Sequence, residues 1–168
     1  MRIFTKNKKI MKKQDLINVW GALKGAKFGK MPEKAKMKYI LMVGKLSPAV
    51  KEFDEFRETT LKKLKEGYPD FDKLREQAQA YEEWVSRSDE ERQQGTPPEM
   101  TRQQYLDVVK TILNYNKAAN ELLKKELEKK LTVSYERLTS SEFGCFINSN
   151  DFTGQQAYEL SVVMCDMG

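Results

Sequence analysis

Between Glu33 and Glu66, Tyr39, Met42, Val43, Leu46, Val50, Phe53, Leu61 and Leu64 fall on one stripe at helical spacing. No strand runs that long, so the chain must build around an extended amphipathic helix and something apolar to cover it. Pro32 suits the first turn of that helix. Ser47-Pro48 lies inside it, and a proline there removes one helical hydrogen bond and crowds the preceding turn, which predicts a kink or a division into two helices.

Three further helices follow from the same periodicity. Leu16, Ile17, Val19, Trp20 and Leu23 mark a short one from Lys13 to about Ala26, ended by Gly25 and Gly29. After the turn Gly67-Tyr68-Pro69-Asp70, a third spans Phe71 to Gln94 with Leu74, Ala78, Tyr81, Trp84 and Val85 inward. Gly95-Thr96-Pro97-Pro98 ends it. Thr101 with Gln104 then forms a capping box before the series Leu106, Val109, Ile112, Leu113, Leu122, Leu123 and Leu127. Antiparallel pairing of residues 33–66 with 102–130 would bury both stripes along one seam.

From Leu131 the period changes to two. Leu131, Val133 and Tyr135 alternate with Thr132, Ser134 and Glu136, as in a half-buried strand. A single strand needs a partner, either a short segment near Phe146 to Asn148 or the same strand of another subunit. Thr139 with Glu142 and Thr153 with Gln156 read as two more capping boxes, the second opening a helix with Leu160, Val163 and Met164 inward. The expected fold is mainly α: a long antiparallel helical hairpin or bundle with a short C-terminal strand and a terminal helix. It divides into a basic flexible arm at 1–11, the hairpin or bundle at 12–130, and a strand-plus-helix element at 131–168 packed on the bundle. Met11 is a second candidate start beside Met1.

Charge is distributed unevenly. Residues 1–45 carry 13 Lys or Arg against Asp15 and Glu33, a net +11, and the rest of the chain is −6. From Leu138 onward there are four acidic residues and no basic one. Either the basic third folds or dimerises against the acidic remainder, or it receives an anionic partner such as a phosphate, a nucleotide, nucleic acid or an acidic protein surface. Within it, Lys24, Lys27, Lys30, Lys34, Lys36, Lys38 and Tyr39, with Phe28 nearby, are the candidate anion-binding residues. Lysines offer point charges to phosphate oxygens, and an aromatic plane can stack on a base.

Histidine is absent, which removes Ser/His/Asp and Cys/His nucleophile systems and His-bearing zinc sites. The clusters at Glu82, Glu83, Asp89, Glu90 and Glu91, and at Glu52, Asp54, Glu55 and Glu58, have the spacing of solvated helix faces. Gly21, Gly25 and Gly29 follow no strand and precede no Gly-Lys-Ser, so neither a phosphate loop nor a dinucleotide fingerprint is present. Cys145 and Cys165 read as buried, reduced thiols. With no secretory signal and no long apolar segment, the expected setting is the reduced cytoplasm. No enzymatic activity, cofactor or metal is expected.

The segment from Met11 to Leu64 resembles a family of small helical proteins encoded by tailed phages and prophages. The likeness rests on Asp15-Leu16-Ile17-Asn18, Ala22-Leu23, Lys30-Met31-Pro32, Tyr39, Leu46, Pro48, Val50-Lys51 and Glu55-Phe56-Arg57. It continues through the Leu-rich Glu121 to Tyr135 and the final helix from Thr153 to Met164, and is weakest across Arg75 to Met100. The resemblance implies phage origin, and with it the cytoplasm of a host cell as the setting and the virion as the alternative, and it supplies no catalytic residues. Combined with the charge layout, it suggests a non-enzymatic accessory protein that antagonises host defence by sequestering an anionic signalling nucleotide. The alternatives are a virion or assembly protein that docks through its hairpin, and a nucleic-acid-binding regulator. A lean core and an unpaired strand suggest a homo-oligomer, simplest as a dimer, with no membrane partner.

Overall fold

The computed structural model of the chain describes residues 8–166. The elements in chain order are β1 (Lys8–Lys12), α1 (Lys13–Lys24), α2 (Glu33–Glu66), α3 (Phe71–Ser86), α4 (Asp89–Gln94), α5 (Arg102–Leu127), β2 (Lys130–Ser134), α6 (Ser140–Asn148) and α7 (Gly154–Met164). The protein is mainly α, as its periodicity predicts. Its elements form two compact units, one from the two ends of the chain up to Phe56 and from Lys124, the other from Arg57–Leu123. The C-terminal strand-plus-helix segment shares its core with the basic N-terminal third.

In the first unit, β1 and β2 pair antiparallel in the register Lys8–Ser134, Lys9–Val133, Ile10–Thr132, Met11–Leu131 and Lys12–Lys130. Residues 8–11 are thus strand, not arm, and they supply the partner that β2 requires. Residues 1–7 of the expected arm lie outside the described residues. The other candidate partner, Phe146 to Asn148, is helical and belongs to α6. Alternation along β1 sends Met11 into the core and leaves Ile10 exposed.

Helix α1 starts where the Asp15 carboxylate accepts the Lys12 backbone N–H at 3.1 Å, and it buries Leu16, Val19 and Leu23. Against them pack Tyr39, Met42, Leu46 and Val50 of α2, Phe146 of α6, and Leu160, Val163 and Met164 of α7. The C-terminal end of α7 is closed from the side. Arg137 donates to the carbonyls of Val162 and Cys165, each at 3.0 Å, and the Tyr135 hydroxyl donates to that of Val163 at 2.7 Å. These are carbonyls for which the helix itself has no partner. Burial raises the pKa of the Tyr135 hydroxyl, so the donor keeps its proton at all ordinary pH.

Pro48 does not divide α2, which runs unbroken from Glu33 to Glu66. The group deprived of a helical donor is the carbonyl of Gly44, four residues back. Both Gly44 and Pro48 are exposed, so water can reach the gap left by the missing bond, and Gly44 has no side chain to crowd the ring.

In the second unit, Phe71 stacks obliquely on Tyr115 at 4.2 Å and Tyr81 lies over Tyr105 at 4.7 Å. These pairs set α3 and α5 antiparallel, with Ala78 and Val108 buried. The antiparallel partner of α5 here is α3, because the stripe of α2 from Ala35 to Val50 is used in the first unit's core. The helix expected over Phe71 to Gln94 is interrupted at Arg87. Ser88 there accepts the Glu91 N–H at 3.3 Å while the Glu91 carboxylate accepts the Ser88 N–H at 2.9 Å. That capping box starts α4 anew. Those at Thr101, Thr139 and Thr153 also form as predicted.

The β1–β2 register gives a direct test of the alternative start. A chain beginning at Met11 lacks the Lys8, Lys9 and Ile10 pairs. At roughly 1 kcal/mol per hydrogen bond it should lose about 2 kcal/mol, and its melting temperature should fall by about 4–8 °C relative to a chain beginning at Lys8. Circular-dichroism melts of the two chains measure this. Equal melting temperatures would mean that the Lys8, Lys9 and Ile10 pairs contribute nothing to stability.

Candidate anion-binding surface

The basic segment between α1 and α2 is held in shape by residues distant in sequence. Asn150, just beyond α6, accepts the Lys27 backbone N–H at 2.7 Å and donates to the Lys27 carbonyl at 2.9 Å. The same amide donates to the Phe146 carbonyl at 2.9 Å, which ties the loop to α6. The Phe28 ring lies 4.9 Å from Tyr39, and Met31, next to the start of α2, is buried. Gly25 closes α1 with its N–H on the Gly21 carbonyl.

Four of the predicted residues, Lys24, Lys27, Lys30 and Lys34, are exposed on this pinned loop and the helix ends beside it. None of them has an ion-pair partner among the described residues. The other three are placed differently. Lys36 is partly covered and pairs with Glu33 at 2.6 Å. Lys38 is buried, with its ammonium 2.9 Å from Glu142 and 3.2 Å from Glu136. Tyr39 is core: its ring lies between Phe28 and Phe146 and its hydroxyl donates to the Leu23 carbonyl at 2.5 Å. It is not available to stack on a base, since removing it from the core would cost an aromatic side chain's burial.

The reading in which the basic third folds against acidic residues is therefore realised in part. Lys38 and Lys13 serve the fold. Lys13 bridges Glu126 at 2.6 Å and Glu52 at 3.3 Å, and Glu126 also accepts from Lys129. Lys129 first and Lys13 second hold the Glu126 carboxyl below its ordinary pKa. At Glu142, burial pushes the carboxyl up, but the Thr139 N–H and the Lys38 ammonium outweigh it and leave the pKa lowered. Lys38 mirrors this: desolvation works against its charge, and the hydrogen bonds it donates to Glu142 and Glu136 raise its pKa above the ordinary value. One oxygen of Glu142 accepts from both Thr139 and Lys38, at 2.8 and 2.9 Å, so the cap of α6 is also its tie to α2.

The remaining candidates add no chemistry. Cys165 is buried as expected, but Cys145 is exposed, because Phe146 takes the inward position next to it on α6. Asp89, Glu90 and Glu91 occupy the first turn of α4, where carboxylates complement the helix dipole. Among the described residues no group of three or more Cys, Asp or Glu could hold a metal ion. No helix there is long and apolar enough to cross a membrane. Asn150, the residue that most shapes the loop, gives no local sequence signal, since its partner lies at Lys27. Comparison with protein-family models, with curated proteins and with solved structures finds no match.

The Lys38–Glu142 pair makes pH a probe of this region. Glu142, with its lowered pKa, stabilises the fold at pH values above the ordinary carboxyl value of 4.5, and this contribution is lost as pH falls through the lower folded value. Lys38, with its raised pKa, contributes below 10.5, and its share is lost as pH rises through the higher folded value. Glu142→Gln should therefore cost about 1–3 kcal/mol at neutral pH. In thermal melts across pH, the gap between the two proteins should close on the acid side. A gap independent of pH would mean that the carboxylate charge is not what stabilises.

Proposed function

We propose that this chain is a non-catalytic binding protein that docks on a polyanionic partner through Lys24, Lys27, Lys30 and Lys34. The observation that carries the reading is that these four cations stand exposed, with no ion-pair partner among the described residues, on the loop clamped by Asn150 and on the helix ends beside it, while Lys36 and Lys38 have carboxylate partners. Fixing the loop in the free protein lowers the ordering cost of binding. Lysine ammonium groups are point charges suited to phosphate oxygens, whereas the bidentate forks that read bases are the property of arginine. With Tyr39 committed to the core, backbone phosphate is the fitting target and base identity is not.

The narrower reading, a phage accessory protein that captures an anionic signalling nucleotide, draws on the same lysines and on the sequence resemblance. Phosphate charge, not base stacking, would have to carry that capture. A virion or assembly role would use a protein surface instead.

Binding of a short fluorescent DNA duplex, measured by anisotropy at several salt concentrations, tests the main reading. If all four lysines neutralise phosphates, the logarithm of the association constant should fall with the logarithm of salt at a slope of about −3 to −4. Replacing Lys24 and Lys27 together by Glu should flatten the slope by about 2 and weaken binding at least tenfold at low salt. Absence of binding at low salt, together with tight retention of a cyclic or ADP-ribose-type nucleotide, would transfer the site to the narrower reading. Absence of both would overturn it.

A further inference from the structure

The N-terminal half of α2 is apolar on two opposite faces. Tyr39, Met42, Leu46 and Val50 form the buried one. At 100° per residue, Met37, Ile40, Leu41 and Pro48 lie on the other side, with Gly44 among them. Met37, Ile40 and Leu41 are 56%, 48% and 58% exposed. A helix that is apolar all round is normally covered all round. A Cβ placed at Gly44 would meet no atom within 4 Å, so the middle of this face is open to close approach.

We infer that a second copy of this chain covers the outer face of α2, the two helices crossing antiparallel about a two-fold axis near Gly44. The charges at the ends of the stripe favour this occupant. Lys34 marks its N-terminal end, exposed and without an ion-pair partner among the described residues. Glu55 marks its C-terminal end, exposed, with only a 4.0 Å approach from the equally exposed Lys51. Each lies about 15 Å along the helix from Gly44. Antiparallel apposition sets Lys34 of each copy against Glu55 of the other, whereas parallel apposition sets like charge on like. The face thus contains its own complement, the property a two-fold interface requires.

The centre of the stripe fits the same arrangement. Gly44 lets two helix backbones approach closely, and its carbonyl, deprived of a helical donor by Pro48, is free to accept a weak Cα–H contact from the partner. Leu41 and Ile40 of one copy then meet Pro48 of the other, and the aliphatic stem of Lys51 covers the partner's Met37. A contact of one helix face on another is small beside a standard interface of roughly 800 Å² per partner, and we expect association in the micromolar range.

Sedimentation equilibrium over about 1–200 µM protein tests this, with circular dichroism confirming the fold of each variant. The wild-type protein should pass from monomer to dimer in that range. Leu41→Glu, on an exposed position, should weaken dimerisation at least tenfold without changing the melting temperature of the monomer. Lys34→Glu should weaken it several-fold, and adding Glu55→Lys to that variant should restore it. A wild-type protein that stays monomeric at 200 µM, a Leu41→Glu dimer of undiminished affinity, or a charge swap that fails to restore association would each overturn the proposal. The first of these would assign the face to a different protein.

Discussion

The first unit depends on the burial of one tyrosine. Tyr39 of α2 reaches the carbonyl of Leu23 in α1, leans on Phe28 in the connecting loop and packs on Phe146 of α6. Three segments are thereby fixed to a single side chain of α2, with its hydroxyl satisfied by a carbonyl near the end of α1. Loss of the ring would open a cavity of the size that costs several kcal/mol in a well-packed core, and would release the loop at the same time. Asn150 completes the clamp from the C-terminal side. The architecture follows from closing the ends of the chain on one another: β1 on β2, and α1 against α7.

The same burial decides how the basic third divides. A lysine on the tyrosine's side of α2 must find carboxylates or stay out of the fold, since an unpaired buried ammonium would be prohibitively costly. Lys38 finds Glu136 and Glu142. Lys13 finds Glu52 and Glu126. Lys24, Lys27, Lys30 and Lys34 have no ion-pair partner among the described residues, and each faces water. The +11 of the sequence therefore overstates the charge available to a partner, and the exposed, unpaired subset on the loop is the better measure of it.

What could be read from the sequence was what is encoded locally. The stripe of α2 and the capping boxes at Thr101, Thr139 and Thr153 need only neighbours within one or two turns, and they formed where their spacing placed them. The Ser88–Glu91 box has the same signature, but the apolar series through Tyr81 to Val85 concealed it. Strand β1 was missed because Lys-Lys-Ile-Met-Lys has no alternation of its own; its conformation is imposed by β2, more than a hundred residues away. Tyr39 was misassigned for a chemical reason. A tyrosine among lysines has the composition of a stacking site, and only the positions of Phe28, Phe146 and the Leu23 carbonyl reveal that both its ring and its hydroxyl are already used.

If α2 pairs antiparallel near Gly44, the geometry also bears on which polyanion the lysine loop can hold. Each loop begins at the N-terminal end of its own α2, about 16 Å from the axis, so the two loops stand at opposite ends of the pair, about 30 Å or more apart. A mononucleotide reaches one loop only and gains nothing from the second. A polymer of phosphates long enough to span both engages them together, the second contact being made at the effective concentration set by the first, which raises avidity without any new chemistry. In the monomer all four lysines face the anion; in such a pair Lys34 turns to the partner copy's Glu55, and Lys24, Lys27 and Lys30 of each copy carry the contact. Dimerisation through one face of α2 would thus favour an extended anionic partner over a small one, by spacing alone.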